Sequence, residues 1–119
     1  MRILLVEDEF LVASAVEAIL DMHGHGVIGP VATVEAALAA LDDGPAPDAA
    51  IVDLNLRGKS ATPVAEELAR RHIPFLFASG YELDIGLRER FPGARWLRKP
   101  YTGQQIRASL AEMERSPET

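Results

Sequence analysis

The apolar residues of the chain keep two alternating rhythms. One is the short unbroken run: Ile3-Leu4-Leu5-Val6, Val27-Ile28, Ala49-Ala50-Ile51-Val52, Phe75-Leu76-Phe77-Ala78 and Trp96-Leu97. Runs without in-and-out alternation predict strands buried on both faces. The expected strands are 2–6, 27–28, 49–53, 73–78 and 95–98. Between them apolar residues recur every three or four positions, which predicts helices. Leu11, Val12, Ala15, Val16, Ile19 and Leu20 give the inward stripe of a helix over 10–22. Val34, Ala37, Leu38 and Leu41 do the same for a second helix, capped by Thr33 with Glu35 in its first turn. Val64, Ala65 and Leu68 mark a third over 61–71, where Pro63 is tolerated in the first turn. Residues 82–91 predict only a weak helix, with Gly86 inside it and Pro92-Gly93 closing it. Ile106, Leu110 and Met113 belong to a last helix capped by Thr102.

Turn residues punctuate this pattern. Gly24 and Gly26 stop the first helix, Gly29-Pro30 cuts the second strand after Ile28, and Arg57-Gly58-Lys59 reads as a turn. Asp42 to Pro47 forms a loop. Strand and helix thus alternate five times, which predicts an α/β fold with a parallel five-stranded sheet covered on both faces. Right-handed crossovers leave few topologies, and the expected one is the flavodoxin-like doubly wound (βα)5 arrangement with strand order 2-1-3-4-5. The 119 residues suit one domain over 1–119, ending in a polar tail at 115–119 with no effector domain after it.

Composition narrows the function. The net charge of −6 argues against direct nucleic-acid binding, and Glu89 interrupts the late cluster of Arg88, Arg90, Arg95, Arg98 and Lys99. The absence of cysteine excludes a disulfide framework, a thiolate zinc site and a thiol nucleophile. The run after Arg2 is too short for a signal peptide or a membrane span, so a cytoplasmic protein is expected.

In the expected topology the strand ends at 7–8, 53, 79 and 99 share one edge of the sheet, where such folds bind ligands. Glu7, Asp8 and Asp53 then converge. Alone, Asp53 could merely cap a turn, and Glu7 and Asp8 could start a helix. Gathered together, three carboxylates repel and call for a cation. An all-oxygen set favours Mg2+, with the Asn55 carbonyl as a further ligand. Ser79 adds a hydroxyl and Lys99 a mobile cation. The set fits phosphoryl transfer: Asp53 as nucleophile, metal and Lys99 neutralising phosphoryl charge, and Ser79 donating a hydrogen bond. A carboxylate ionised at neutral pH needs no base.

These residues resemble those of bacterial two-component response-regulator receiver domains, along essentially the whole chain. Glu7-Asp8 resembles the family's acidic pair, Asp53 its phosphoacceptor, Ser79 its switch hydroxyl and Lys99-Pro100 its Lys-Pro, which in relatives usually has a cis peptide bond. Phe75-Leu76-Phe77-Ala78-Ser79-Gly80-Tyr81 is similar to the motif of the subgroup named for Phe-Ala-Thr-Gly-Tyr, with Ser79 in place of Thr. Gly80 leaves the phosphate approach open, and Tyr81 stands where side chains influence dephosphorylation. Trp96 stands at the family's switch aromatic, a place where the subgroup often lacks one. The resemblance implies a phosphorylation-dependent signalling switch in a phosphorelay. A sensor histidine kinase or histidine phosphotransfer protein would supply the phosphoryl group, a downstream output protein would read the change in the 79–101 region, and there is room for a homodimer. It implies a self-phosphorylating acceptor, with autodephosphorylation, rather than a turnover enzyme.

Two rival readings stand beside it. One is a phosphorylation-independent interaction module that keeps the fold. The other is an aspartyl-phosphate phosphatase of the haloacid-dehalogenase type, but those enzymes usually carry an acid where Asn55 stands, and 119 residues leave no cap domain. His23, His25 and His72 form no metal-ligand motif and read as surface or loop residues, and Glu9 as a solvated acid. Phe75 and Phe77 share a strand face and read as core. Tyr101 reads as a partner-facing residue or a partly buried anchor.

Overall fold

The computed structural model describes residues 1–80, 85–99 and 101–115. Its strands are β1 (Arg2–Val6), β2 (Gly26–Val31), β3 (Ala49–Asp53), β4 (Asn55–Leu56), β5 (Lys59–Ser60), β6 (Phe75–Ser79) and β7 (Arg95–Arg98). The helices are α1 (Phe10–Met22), α2 (Val34–Asp42), α3 (Thr62–Arg70), α4 (Ile85–Arg90) and α5 (Gly103–Arg115). The main sheet is parallel and has five strands in the order β2-β1-β3-β6-β7. With the separate hairpin β4–β5 set aside, this is the expected 2-1-3-4-5 order.

Every residue of β3 is buried, because both faces of the sheet are covered. Leu4, Val6, Ala50, Val52, Phe75 and Phe77 point to one side, against Val34, Ala37 and Leu41 of α2 and Val64, Ala65 and Leu68 of α3. Ile3, Leu5, Ala49, Ile51, Leu76 and Leu97 point to the other, against Ala13, Val16 and Leu20 of α1 and Ile106, Leu110 and Met113 of α5. Each large side chain so enclosed contributes roughly 1.5–3 kcal/mol. The central strand is held from both sides, and its final residue inherits that rigidity.

The helix starts follow the expected chemistry. The Thr33 hydroxyl accepts from the Ala36 N–H at 3.0 Å. Thr102 accepts from the Gln105 N–H at 3.1 Å, and Gln105 returns the bond to the Thr102 N–H at 2.8 Å, which makes a reciprocal capping box.

Four expectations need correction, and a fifth, the turn at 57–59, is extended. On α1, Leu11 is 80% exposed and Ala15 is exposed, while Ala13 is buried in their place. The inward stripe is therefore narrower than the apolar spacing implies. The second strand does not stop at Ile28 but runs on through Gly29-Pro30 to Val31. The register slips between Leu4 and Val6 of the neighbouring strand, and the Gly29-Pro30 peptide is cis. Gly29 holds φ at 98°, and a Cβ there would lie 2.7 Å from the Val31 nitrogen, so only glycine carries the strand past this point. The turn at 57–59 belongs to a true antiparallel hairpin, pairing Asn55 with Ser60 and Leu56 with Lys59. The fourth strand of the main sheet begins at Phe75 rather than Ile73 and includes Ser79. Of the weak helix expected over 82–91, residues 85–90 are helical and 82–84 lie outside the described residues. Of the tail expected over 115–119, Arg115 is instead the last residue of α5, and 116–119 lie outside the described residues. Among the described residues, no helix is long and apolar enough to cross a membrane.

Candidate phosphoacceptor and metal site

The parallel sheet delivers the site by bringing four strand ends to one edge. Glu7 and Asp8 follow β1 directly, and the Glu7 N–H donates to the Val31 carbonyl at 2.9 Å, extending the ladder by one bond. Asp53 ends β3 beside Ala78 of β6. Ser79 ends β6, and its carbonyl accepts from the Lys99 N–H at 2.6 Å. That bond fixes where the Lys99 side chain starts.

The side chains then converge. Lys99 Nζ lies 2.9 Å from Glu7 Oε1, 3.3 Å from Asp53 Oδ2 and 3.6 Å from Glu9 Oε1. Glu7, Asp8 and Asp53 each offer an oxygen within 4.8 Å of the others. Glu7 and Asp53 are buried, at 4% and 7% exposure, and Asp8 is half-buried. The second Glu7 oxygen accepts from the Glu9 N–H at 3.1 Å, and Asp8 Oδ2 accepts from the Arg57 N–H at 3.0 Å. Asp8, Glu9, Asp53, Asn55, Gly58, Gly80 and Lys99 line an open cavity of about 320 Å³.

The electrostatics are those of an over-acidic pocket. Burial, and then the Glu7 charge, push the Asp53 carboxyl up to about 7, although Lys99 opposes them. Burial alone would lower the Lys99 ammonium. The hydrogen bond to Glu7 and the Asp53 and Glu7 charges outweigh it and hold Lys99 above its ordinary value. The ion pair thus fails to bring Asp53 down because one ammonium is divided between two buried carboxylates. The metal-free pocket thus makes Asp53 harder to ionise than an ordinary carboxylate.

This donor set fits a hard divalent cation. Three carboxylates with reachable oxygens, no nitrogen or sulfur donor in the group among the described residues, and a charge excess that one lysine leaves unbalanced are what Mg2+ neutralises. Asn55 is exposed beside the cavity. Its own N–H lies 3.4 Å from Asp53 Oδ1, and its side-chain oxygen accepts from the Gly58 N–H at 2.9 Å.

Ser79 is buried at the same edge and Gly80 is half-buried in the cavity wall. Tyr81 and Pro100, with the peptide bond between Lys99 and Pro100, lie outside the described residues. Trp96 is not in the cavity. Its ring packs 4.8 Å from that of Phe77, and the Arg88 guanidinium lies 4.6 Å from its centroid. One contact of the surroundings escaped sequence reasoning. Arg57 reaches Asp8 through its backbone, a contact no side-chain chemistry signals. Tyr101 lines a larger, mainly apolar cavity of about 620 Å³ with Leu11, Val12, Ala15, Gly80 and Lys99. Burial and the nearby Glu7 charge push its hydroxyl up to about 12. Of its two expected readings, that of a partly buried anchor fits this placement.

The chain is similar to several known proteins. No family model matches the chain. SdrG from Sphingomonas melonis Fr1, known from a solution structure, is 43% identical, with a TM-score of 0.82 over 96% of both chains. A BeF3-activated conformation of SdrG, from Pseudomonas melonis Fr1, is 44% identical, with a TM-score of 0.77 over 94% of both chains. The signal receiver domain of a modulated diguanylate cyclase from Desulfovibrio desulfuricans G20 is 26% identical, with a TM-score of 0.85 over 98% of this chain and 94% of that one. The phyllosphere-induced regulator PhyR of Methylorubrum extorquens is 28% identical over 113 residues, 93% of this chain and 42% of PhyR. The chain spans less than half the length of the curated relatives it matches.

Proposed function

The chain belongs to the bacterial response-regulator receiver domains, which are phosphorylation-dependent signalling switches rather than turnover enzymes, and from that premise we propose that it accepts a phosphoryl group on Asp53. The observation that carries this is the meeting of Asp53 with Lys99 Nζ at 3.3 Å and with oxygens of Glu7 and Asp8 within 4.8 Å, at the mouth of an open cavity.

The reaction is an in-line displacement. A carboxylate oxygen of Asp53 attacks phosphorus, a P–O bond forms, and the P–N bond of a phosphohistidine donor breaks with its electron pair left on the imidazole nitrogen. Glu7, Asp8 and Asp53, with the Asn55 carbonyl, are the residues that would hold Mg2+. When bound, Mg2+ supplies positive charge that favours ionised Asp53 and offsets the charge of the phosphoryl oxygens. Lys99 supplies a second cation, already partly desolvated against Glu7 and Asp53. Ser79 would donate its hydroxyl to a phosphoryl oxygen. Gly80, without a side chain, keeps the approach open.

The readout follows from connectivity. Ser79 and Lys99 are joined by a backbone bond of 2.6 Å, so a movement of Ser79 toward the phosphoryl group is passed to β7 and the loop after it. The switch is a shift between two populated states, with the phosphoryl contacts favouring one. Trp96, within that strand and packed against Phe77, moves with it. SdrG in a BeF3-activated conformation supports this reading, since BeF3 on a carboxylate resembles an acyl phosphate. A histidine kinase or histidine phosphotransfer protein as donor, an output protein as receiver and a cytoplasmic setting complete the proposal. The subgroup motif around Ser79 and the loss of the phosphoryl group to water, helped or hindered by Tyr81, belong to it as well.

Incubation with acetyl phosphate and Mg2+, followed by intact-mass measurement, tests it. A gain of about 80 Da, the mass of one phosphoryl group, is expected in the wild type and not in Asp53→Asn. A chain that stays unmodified with every phosphodonor tried is instead the phosphorylation-independent module.

A further inference from the structure

Among the described residues, two that are not glycine hold a positive φ: Arg57 at 54° and His72 at 59°. His72 has a local reason. It follows α3, where its N–H bonds back to the Ala69 carbonyl and that of Ile73 to the Leu68 carbonyl, a common helix ending. Arg57 is the first central residue of the β4–β5 turn and Gly58, at φ 82°, the second. Two positive φ values in a two-residue hairpin are the type I′ turn. Asn or Gly at the first position would serve that turn better than Arg.

What the strained backbone holds is a bond across the site. The first central N–H of such a hairpin takes no part in its ladder. Here it donates to Asp8 Oδ2 at 3.0 Å, from 49 positions away in sequence. The hairpin that carries it is firmly set. Leu56 is 1% exposed in the core, the Asn55 side chain accepts from the Gly58 N–H at 2.9 Å, and the Ala61 N–H ties back to the Leu54 carbonyl at 3.1 Å. A residue outside its preferred region persists only where its surroundings over-determine it, and such residues gather at working sites.

We infer that the 55–60 hairpin is a positioning element for the metal site, with the Arg57 N–H turning one Asp8 oxygen aside so that the other faces Glu7 and Asp53. The inference rests on Asp8 being a metal ligand. Outer donors of this kind fix the orientation of a ligating carboxylate, and their loss typically weakens metal binding by about 10–100-fold. Arg57 acts here through its backbone, so the guanidinium is dispensable.

The test is Mg2+ titration of the whole chain, followed by amide NMR shifts. Arg57→Gly keeps the N–H and suits the turn, and its Mg2+ affinity should stay within about twofold of wild type. Arg57→Pro deletes the N–H and forbids the turn, and its affinity should fall by about tenfold or more. A second measurement needs no variant and decides the matter if Arg57→Pro does not fold. In the wild type the Arg57 amide resonance should move along the same saturation curve as those of Asp8 and Asp53. An Arg57→Pro protein that binds Mg2+ like the wild type, or an Arg57 resonance that stays still while Asp8 and Asp53 saturate, overturns the hairpin's role and leaves the metal site standing. A wild type that takes up no Mg2+ overturns both.

Discussion

Lys99 lies closer to Glu7 than to the residue it is expected to serve: its ammonium is 2.9 Å from Glu7 Oε1 and 3.3 Å from Asp53 Oδ2. Both acids are buried, and Lys99 balances only part of their charge. Removing Lys99 leaves two buried carboxylates with weaker support. Breaking a fully buried pair is costly, but this site opens to water, so the loss is discounted. Lys99→Ala should lose about 1–2 kcal/mol in metal-free buffer at pH 8, read by urea unfolding, and Mg2+ should restore much of it. An unchanged midpoint would show that Lys99 supports the site's chemistry alone.

The pH dependence of Asp53 has a definite sign. Its carboxyl is raised from 3.8 to about 7 on folding, so between those values the folded chain holds a proton that the unfolded chain has released. Asp53 therefore withdraws stability as pH rises through that window, and its effect levels off above the folded value. In metal-free buffer Asp53→Asn should match the wild type near pH 4 and melt higher at pH 8. A melting difference that does not vary with pH would contradict the raised carboxyl.

Magnesium should act in the opposite direction. A ligand that binds only the folded chain at about 100 times its Kd adds roughly 2.7 kcal/mol. The gain should disappear in Asp8→Asn. Calorimetric melting with and without Mg2+, on both proteins, measures it.

Phe77 and Leu11 separate real core from apolar appearance. Phe77 is 0% exposed and touches the rings of Phe75, Phe91 and Trp96. Phe77→Ala should cost about 3–5 kcal/mol and shift Trp96 fluorescence to longer wavelength. Leu11 is 80% exposed, and Leu11→Ala should cost no more than about 0.5 kcal/mol by denaturant unfolding.

That contrast explains what could be read from the sequence. The strands of 2–6 and 49–53 were legible because buried runs in a two-sided sheet have no alternative partner. The meeting of Glu7, Asp8, Asp53 and Lys99 was legible because parallel topology puts every strand's end on one edge. The burial of Ala13 in place of Leu11 was not, since a helix beside an open cavity keeps apolar residues outside its packed stripe. The continuation of β2 past Ile28 was hidden by a Gly-Pro pair that normally ends a strand. The raised Asp53 carboxyl was missed because its cause is burial and the Glu7 charge, quantities that spacing does not carry. Arg57 was unreadable because its contribution is a backbone N–H.

The passage of β2 through Gly29 and Pro30 has a consequence for association. β2 and β7 are the outer strands of the main sheet, and outer strands are templates for unwanted pairing between molecules. Pro30 offers no N–H to an incoming strand, and Gly29 at φ 98° breaks the flat run that strand addition needs. At the far edge, β7 is four residues long and bears Arg95 and Arg98 at its ends. Both margins of the sheet are thus blunted against edge-to-edge polymerisation.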